Sequence, residues 1–358
     1  MSTHSPAAKR ARRGHGRPTL HDVAHAAGVT RITVSRYFRE PVLVAEDTAA
    51  RIREAVLQTG YVPNQQAGQL ASGHSQMVAA LIPNIGHSIF AETIQGLSEG
   101  LRNTGHELML ASTGYSMERE EAQLRALIGW APGALIVTGH HHSVGAERLL
   151  RDVQAAGTPV IEIWDRSPPR GDAKGFAQIG FSHEAVGRAM ARHLLNLGHR
   201  SLAYVDSGVA EDFRAHERGE GFVAEVRAAG ARVKVLRAAT GDAFDSGRMV
   251  LDLLRAPARS AITAAAFAND HLACGTLMQA QASGVKVPDE LALLGFGDFP
   301  LGRQMRPSLS TVHPPSTEIG RAAAEAALHA IASKSEVLSR ELEWVLIARH
   351  STGSVEPA

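Results

Sequence analysis

The chain has 358 residues, 44% of them hydrophobic and 20% charged, with a formal net charge of +1. This balance suits a globular protein of two or three structural units with a real core, and no run of eighteen apolar residues predicts a membrane-spanning helix. The single cysteine, Cys274, excludes an intrachain disulfide framework and a multi-cysteine metal site; the basic, polar opening Met1–Arg13 is unlike a secretory signal, so a cytoplasmic location is expected.

Charge is spread unevenly. Residues 1–74 hold ten Lys/Arg against five Asp/Glu, whereas the remainder holds 27 against 31. A basic head on a mildly acidic body points to a polyanion partner at the head. Residues 1–17, rich in Arg, Ala and Gly, are expected to be a disordered basic tail. Thr19 then precedes Leu20, Val23, Ala24 and Ala27, apolar at helical spacing, and Asp22 stands where a capping box places its acidic member. Gly28 ends this helix. Thr30 caps a second, Arg31 to about Phe38, which Glu40-Pro41 breaks. A third runs from about Glu46 to Thr59, with Ala49, Ile52 and Val56 on one face, and stops at Gly60.

Two short helices joined by Ala27-Gly28-Val29-Thr30 form a helix-turn-helix. Arg31 and Ile32 project first from the second helix, followed by Ser35 and Arg36 four residues on, which are the positions that reach base edges in a major groove. Arg can read guanine through two hydrogen bonds and Ile can contact a thymine methyl; the hydroxyls of Thr19, Thr30, Thr33 and Ser35 suit phosphates. Asn64 opens a segment to Ala71 that is too short, and with Gly68 too weak, to stay helical alone. It reads as a hinge, followed by a linker at Ser72–Ser75.

From Met77 onward the period changes. Short apolar runs (Val78–Ile82, Leu108–Ala111, Ala134–Val137, Val160–Ile163, Leu202–Val205, Val233–Leu236, Ala264–Phe267, Leu291–Leu294) alternate with amphipathic helices, many closed by Gly. Repeated β-α units mean parallel sheets covered by helices on both faces. More than eight strands suggest two lobes, and the last units, a helix from Ser316 and a strand at Leu342–Ala348, are candidates for crossing between them. The expected organisation is a tail (1–17), an all-α helix-turn-helix headpiece (18–63), a hinge and linker (64–75) and an α/β two-lobed core (76–353).

The run Thr19-Leu20-His21-Asp22-Val23-Ala24, then Ala27 through Arg36, Gly60-Tyr61-Val62-Pro63-Asn64 and Leu70-Ala71 resembles the LacI/GalR repressor family across nearly the whole chain. The resemblance implies a core like a periplasmic sugar-binding protein. It also implies a homodimer on a pseudo-palindromic operator and hinge contacts from Asn64, Ala67 and Leu70, the leucine wedging open a minor-groove step. Within the core it implies an effector pocket. Phe90, in Pro83–Glu92, falls where an aromatic lines that pocket or packs in the core; Arg218 matches an effector-binding arginine; Asn269-Asp270 lies at a strand end and serves as ligand contact, helix cap or both. His87, Thr138 and Trp164 are further candidates. Strand ends are where open parallel sheets bind ligands, and a guanidinium there can hold a carboxylate or paired hydroxyls.

In one place the chain departs from the family. Many members carry Gly-(Tyr/Phe)-Asp-Asp where this chain has Gly295-Phe296-Gly297-Asp298, so Gly297 replaces a sugar-contacting carboxylate. That favours an anionic effector over a neutral sugar. Tyr115–Glu118, Gly129-Trp130, Val160–Asp165 and Gly295-Phe296 look most like the gluconate-utilisation branch, which makes gluconate or a related sugar acid the expected effector and a neutral sugar the alternative. His140-His141-His142 is expected to be a solvated loop or an aid to anion binding; adjacent histidines do not readily turn to one ion, so neither metal nor cofactor is expected. Gly-x-Ser-x-Gly, phosphate-loop and His-Glu-x-x-His patterns are all missing, against an enzyme. A transport-binding protein fits the core but not the basic head. The C-terminal residues lack apolar heptads, against a tail-mediated tetramer.

Overall fold

The computed structural model describes residues 17–63, 75–85, 88–166, 175–239, 241–256 and 261–353. Asn64, Ala67 and Leu70 of the expected hinge, and His87, lie outside them. The chain divides into two compact units, Met1–His74 and Ser75–Ala358. No helix among the described residues is long and apolar enough to cross a membrane.

In the first unit, α1 (Leu20–Ala27), α2 (Arg31–Arg39) and α3 (Glu46–Thr59) enclose Val23, Ala24, Ala27, Val34, Ala49, Ile52 and Ala55. Asp22 accepts from both the backbone N–H (2.8 Å) and the hydroxyl (2.7 Å) of Thr19. The turn between α1 and α2 depends on Gly28, whose φ of +64° an L side chain rarely adopts. Arg51 of α3 braces this turn by donating to the Ala27 carbonyl (2.5 Å) and the Gly28 carbonyl (3.1 Å). One of the ten basic residues of the head is therefore committed to its own fold. Val34, fully buried, contributes on the order of 1.5–3 kcal/mol as the one completely buried apolar anchor of α2.

The second unit holds two six-stranded sheets. The first has the order β11-β5-β4-β3-β1-β2 and the second β12-β10-β9-β8-β6-β7. The strands are β1 (Met77–Ile82), β2 (Glu107–Ser112), β3 (Ala134–Thr138), β4 (Val160–Asp165), β5 (Ala177–Phe181), β6 (Ser201–Asp206), β7 (Arg232–Arg237), β8 (Ala264–Phe267), β9 (Ala292–Phe296), β10 (Ser310–His313), β11 (Arg340–Glu341) and β12 (Val345–Ile347). All pair in parallel except β10 with β12. The helices are α4 (Ser88–Leu101), α5 (Met117–Gly129), α6 (Val144–Ala155), α7 (His183–Asn196), α8 (Phe213–Ala228), α9 (Ala243–Arg255), α10 (Asp270–Ala282), α11 (Pro300–Gln304) and α12 (Ser316–Ser333). Because helices cover both faces, strand residues are buried whichever way they point: Val78, Ala80 and Ile82 join one core cluster, Ala79 and Leu81 another. That is why these strands read as continuous apolar runs rather than alternating ones.

The sheet orders require the chain to pass between the lobes three times: after β5, after β10 and between β11 and β12. The strand expected at Leu342–Ala348 is the shorter β12 (Val345–Ile347), and β11 (Arg340–Glu341), just before that segment and not expected, lies in the other sheet. β5 and β10 were not expected as strands. β5 carries Gln178 and Gly180, and Ser310 and Thr311 of β10 are buried because Thr352, Ser351 and Asp270 satisfy their polar groups.

α7 and α8 meet backbone to backbone. A Cβ on Gly187 would stand 1.9 Å from the Arg218 carbonyl oxygen, and one on Gly221 would stand 2.1 Å from that of Glu184. Gly187→Ala is expected to cost the core about 1–3 kcal/mol through overpacking, measured by denaturant unfolding; an unchanged midpoint would show that the helices separate freely.

Candidate functional sites

The exposed face of α2 carries Arg31, Ile32, Arg36 and Arg39, with Thr33 and Ser35 partly exposed beside them. Ile32 is 71% exposed at the start of a helix whose Val34 is fully buried, so its apolar side chain faces outward on a cationic surface. Arg31 and Arg36 form no ion pair within 4.0 Å among the described residues. Thr30 accepts from the Thr33 N–H (3.2 Å), and the two hydroxyls lie 2.9 Å apart, so both help to cap α2. Thr19 is likewise engaged by Asp22. These hydroxyls remain exposed, and each keeps lone pairs or an O–H for a second partner.

The second site is the cleft between the lobes. One part, about 540 Å³ of space partly open to solvent, is lined by Phe90, Tyr115, Trp164, His183, Arg214 and Arg218 together with Asn269, His271, Phe296 and Phe299. Four of the seven expected effector residues, Phe90, Trp164, Arg218 and Asn269, meet here. Thr138 lines the adjoining part with Glu120, His141, Asp165, Glu211 and Arg214, and its hydroxyl donates to the Leu81 carbonyl (3.0 Å). Asn269 caps α10 by accepting from the Leu272 N–H (3.1 Å) while lining the cleft.

Asp270 is placed differently. It is buried behind the wall, with one oxygen accepting from the Phe299 N–H (2.8 Å) and the other from the Thr311 hydroxyl (2.6 Å). It braces the loop after β9 from inside.

Arg218 is 4% exposed. Its guanidinium stacks 3.9 Å over the Phe296 ring, donates to the Ala268 carbonyl (2.7 Å) and meets His183 Nδ1 at 2.9 Å. His183 Nε2 lies 3.1 Å from the Trp164 carbonyl. Together these bonds select the tautomer with hydrogen on Nε2, so Nδ1 accepts from the arginine. Burial, with the neighbouring Arg218 charge, holds His183 below the usual histidine range despite Asp165, which matches a neutral ring. Among the described residues no carboxylate lies within 4.0 Å of the Arg218 or Arg214 guanidinium nitrogens. Trp164 stacks edge-on with Phe90 (5.5 Å) and donates from Nε1 to the Thr93 hydroxyl (3.1 Å). Its φ of +77° breaks strand alternation and turns it onto the same side as Ile163. Tyr115, also in the cleft, has φ +62°. Two non-glycine residues in this sparsely populated region mark a strained site.

Comparison with known proteins places the chain. Residues 19–64 match the bacterial regulatory proteins of the lacI family, and residues 191–352 match the periplasmic binding protein-like domain. The HTH-type transcriptional regulator GntR of Pseudomonas aeruginosa is 37% identical over 94% of this chain and 96% of its own length. A LacI-family regulator from Silicibacter pomeroyi superposes with a TM-score of 0.82 at 31% identity, covering 94% of this chain and 99% of the other. GntR from Chromobacterium violaceum does so at 0.69 and 30% identity, covering 78% and 100%. The chain belongs to the LacI family. It is a DNA-binding transcriptional regulator, with an all-α head and a two-lobed periplasmic-binding-protein-like core.

The sequence reading of this LacI-family cleft missed Tyr115, Arg214, Phe299 and the carboxylates facing the histidine run. Only proximity in space picks them out; Arg214, four residues before Arg218 and one turn along α8, was the one legible by helical spacing. His140-His141-His142 is not a solvated loop. The side chains of His140 and His142 are 7% and 3% exposed, and each histidine has a carboxylate: His140–Asp165 at 2.7 Å, His141–Glu217 at 2.9 Å and His142–Glu120 at 2.7 Å. At Gly297 the φ is +131° and an added Cβ would stand 2.6 Å from the Phe299 ring, so an aromatic edge occupies the place of a carboxylate side chain. Asp298 turns away to Arg303 and Arg349, each at 2.5 Å.

Replacing Arg31 or Ile32 is expected to relax base preference while leaving salt-dependent DNA affinity largely in place; each lost base contact should narrow discrimination by about 1–3 kcal/mol across operator variants. An unchanged preference would reject the recognition-helix assignment. A second expectation concerns pH. Burial, and then the Asp298 charge, push the Asp270 carboxyl up to about 7 against the bonds from Thr311 and Phe299. Folding therefore favours the protonated form: this stabilising contribution is complete below the ordinary value of 3.8 and is lost as pH rises through about 7. Asp270→Asn should flatten the fall in melting temperature over that window.

Proposed function

We propose that this LacI-family regulator is a repressor whose effector is a sugar acid, with gluconate the first candidate. The observation that carries the reading is a pair of buried guanidinium groups, Arg214 and Arg218, one helical turn apart on α8 and facing a cleft where no described carboxylate pairs with them. Asp165 and Asp212 act on Arg214 through their charge without bonding it, and a ligand carboxylate would give the two guanidinium groups the charge-assisted bonds they lack. Gly297 supports the same reading, because a position that would repel an anion or bond a neutral sugar bears no side chain. The rings of Phe90, Trp164, Phe296 and Phe299 give an apolar wall for the carbon chain of a polyol, while the part of the cleft holding Thr138, Glu120 and Glu211 offers acceptors for hydroxyls. Resemblance to the gluconate-utilisation branch supplies the named candidate.

The protein acts as a homodimer on a pseudo-palindromic operator, with α2 in the major groove and Asn64, Ala67 and Leu70 of the hinge in the minor groove. It has no catalytic role. Effector binding shifts the relative pose of the lobes, and the heads respond only to the extent that the effector binds the two poses differently.

The test is fluorescence anisotropy of the full chain on its own upstream DNA, with and without gluconate, at a stated salt concentration. Gluconate should weaken selective binding, and Arg218→Ala should lose that response while keeping operator affinity. Selective binding indifferent to gluconate and to a panel of sugar acids would reject the effector class. A normal response from Arg218→Ala would move the pocket elsewhere.

A further inference from the structure

The histidine run and α8 bring a second kind of chemistry to the cleft. Gly139, with φ +92°, turns the chain sharply after β3. His140 and His141 then stand side by side, ring centroids 4.1 Å apart, while His142 faces away toward Glu120 and Glu162. Glu217 approaches from the other lobe. Its Oε1 lies 2.9 Å from His141 Nε2 and 3.4 Å from His140 Nε2, and the three side chains offer ligand atoms all within 4.8 Å of one another. Ligands of a tetrahedral zinc ion stand about 3.3–3.5 Å apart when each is about 2.0–2.2 Å from the metal. The cluster reaches that geometry with small side-chain movements.

Two independent features favour a metal over a simple hydrogen-bond network. Asp165, 2% exposed on its side chain, binds His140 Nδ1 at 2.7 Å and the His140 backbone N–H at 2.9 Å. A carboxylate on the far nitrogen fixes the ring and directs the Nε2 lone pair at the cluster, as the outer-shell partner of a metal-bound histidine does. The surroundings are also acidic: Glu120, Asp165 and Glu211 line this part of the cleft beside Glu217, with Arg214 the one Lys/Arg among the described lining residues.

We infer that His140, His141 and Glu217 form a divalent transition-metal site, best suited to Zn²⁺, that ties the two lobes together across the cleft. Imidazole and carboxylate ligands suit that ion, and three protein ligands leave a fourth position for water. The histidines belong to the lobe of β3 and the glutamate to the lobe of β6, so the ion favours the lobe pose in which all three meet. The site adjoins the part of the cleft that the sugar-acid reading gives to effector hydroxyls, but Arg218 takes no part in it, so the two can be tested apart.

The test uses full-length, tag-free protein stripped with a chelator, titrated with Zn²⁺ against a chromophoric chelator. One equivalent per chain is expected, and Co²⁺ should give the d–d absorption of a four-coordinate ion. His141→Ala and Glu217→Gln should each weaken binding at least about tenfold, while His142→Gln should leave it unchanged. Zn²⁺ should raise the melting temperature of the wild-type chain but not of Glu217→Gln, whose near-isosteric change keeps the fold if His141→Ala does not. Failure of the wild-type chain to compete for Zn²⁺ would overturn the site, as would binding that both variants retain. Gluconate response in the Glu217→Gln chain separates this inference from the effector reading, since that response depends on Arg218.

Discussion

Asp165 is a carboxylate almost without water, and the cleft walls converge on it. One oxygen receives the ring and backbone N–H groups of His140; the other lies 3.4 Å from His183 Nε2. Burial pushes its pKa up, yet the bonds from His140 and His183 and the charge of Arg214 hold it well below the usual carboxylate range. The charge is thus kept inside, and it organises its neighbours. His140 is oriented toward the opposite lobe. His183, the first residue of the helix that leads into the second lobe, is held beside it, while burial and the Arg218 charge keep the ring neutral against the pull of Asp165, so that it presents an acceptor to Arg218. A buried ion held this way adds little net stability, because desolvation offsets attraction. What it does supply is position: one end of β4, the loop after β3 and the start of α7 are set with respect to one another.

This arrangement links fold to function through the three chain passages between lobes. α7 follows the first of them and packs against α8, whose Arg214, Glu217 and Arg218 face the cleft at successive turns. The glycine contacts at Gly187 and Gly221 keep α7 and α8 at backbone distance. α8 thus presents two of its cations and one of its carboxylates to the histidines and aromatics of the other lobe. Strained backbone at Tyr115 and Trp164 sits at that cleft, and such strain persists only where packing over-determines it.

Much of this was legible in the chain itself. The head reads locally: the caps at Thr19 and Thr30, the glycine turn at Gly28 and the apolar spacing within each helix are each set by residues a few positions apart. The parallel sheets read from continuous apolar runs, because burial on both faces removes alternation. Strands β5 and β10 did not read so clearly: Gln178 and Gly180 interrupt the apolar run of β5, and the buried Ser310 and Thr311 of β10 are satisfied by partners far along the chain. The candidate site was half legible. Arg218, Phe90, Trp164 and Asn269 stand out by resemblance and by strand-end position. Asp270, adjacent to Asn269, turns inward because Phe299 and Thr311 offer it two donors that no local pattern announces.

The sequence by itself determined the helix-turn-helix head, the two-lobed parallel α/β class and the arginine on which an anionic effector reading rests. The first two follow from short-range spacing, capping and hydrophobic period, each contained in a window of a few turns; the arginine follows from resemblance to the LacI/GalR family. Only the tertiary structure decided which carboxylates face the histidine run and that the chain's last strands belong to different lobes. Those outcomes depend on groups 20 to 160 residues apart meeting in a nearly dry space, where geometry and charge are set by contact rather than by order along the chain.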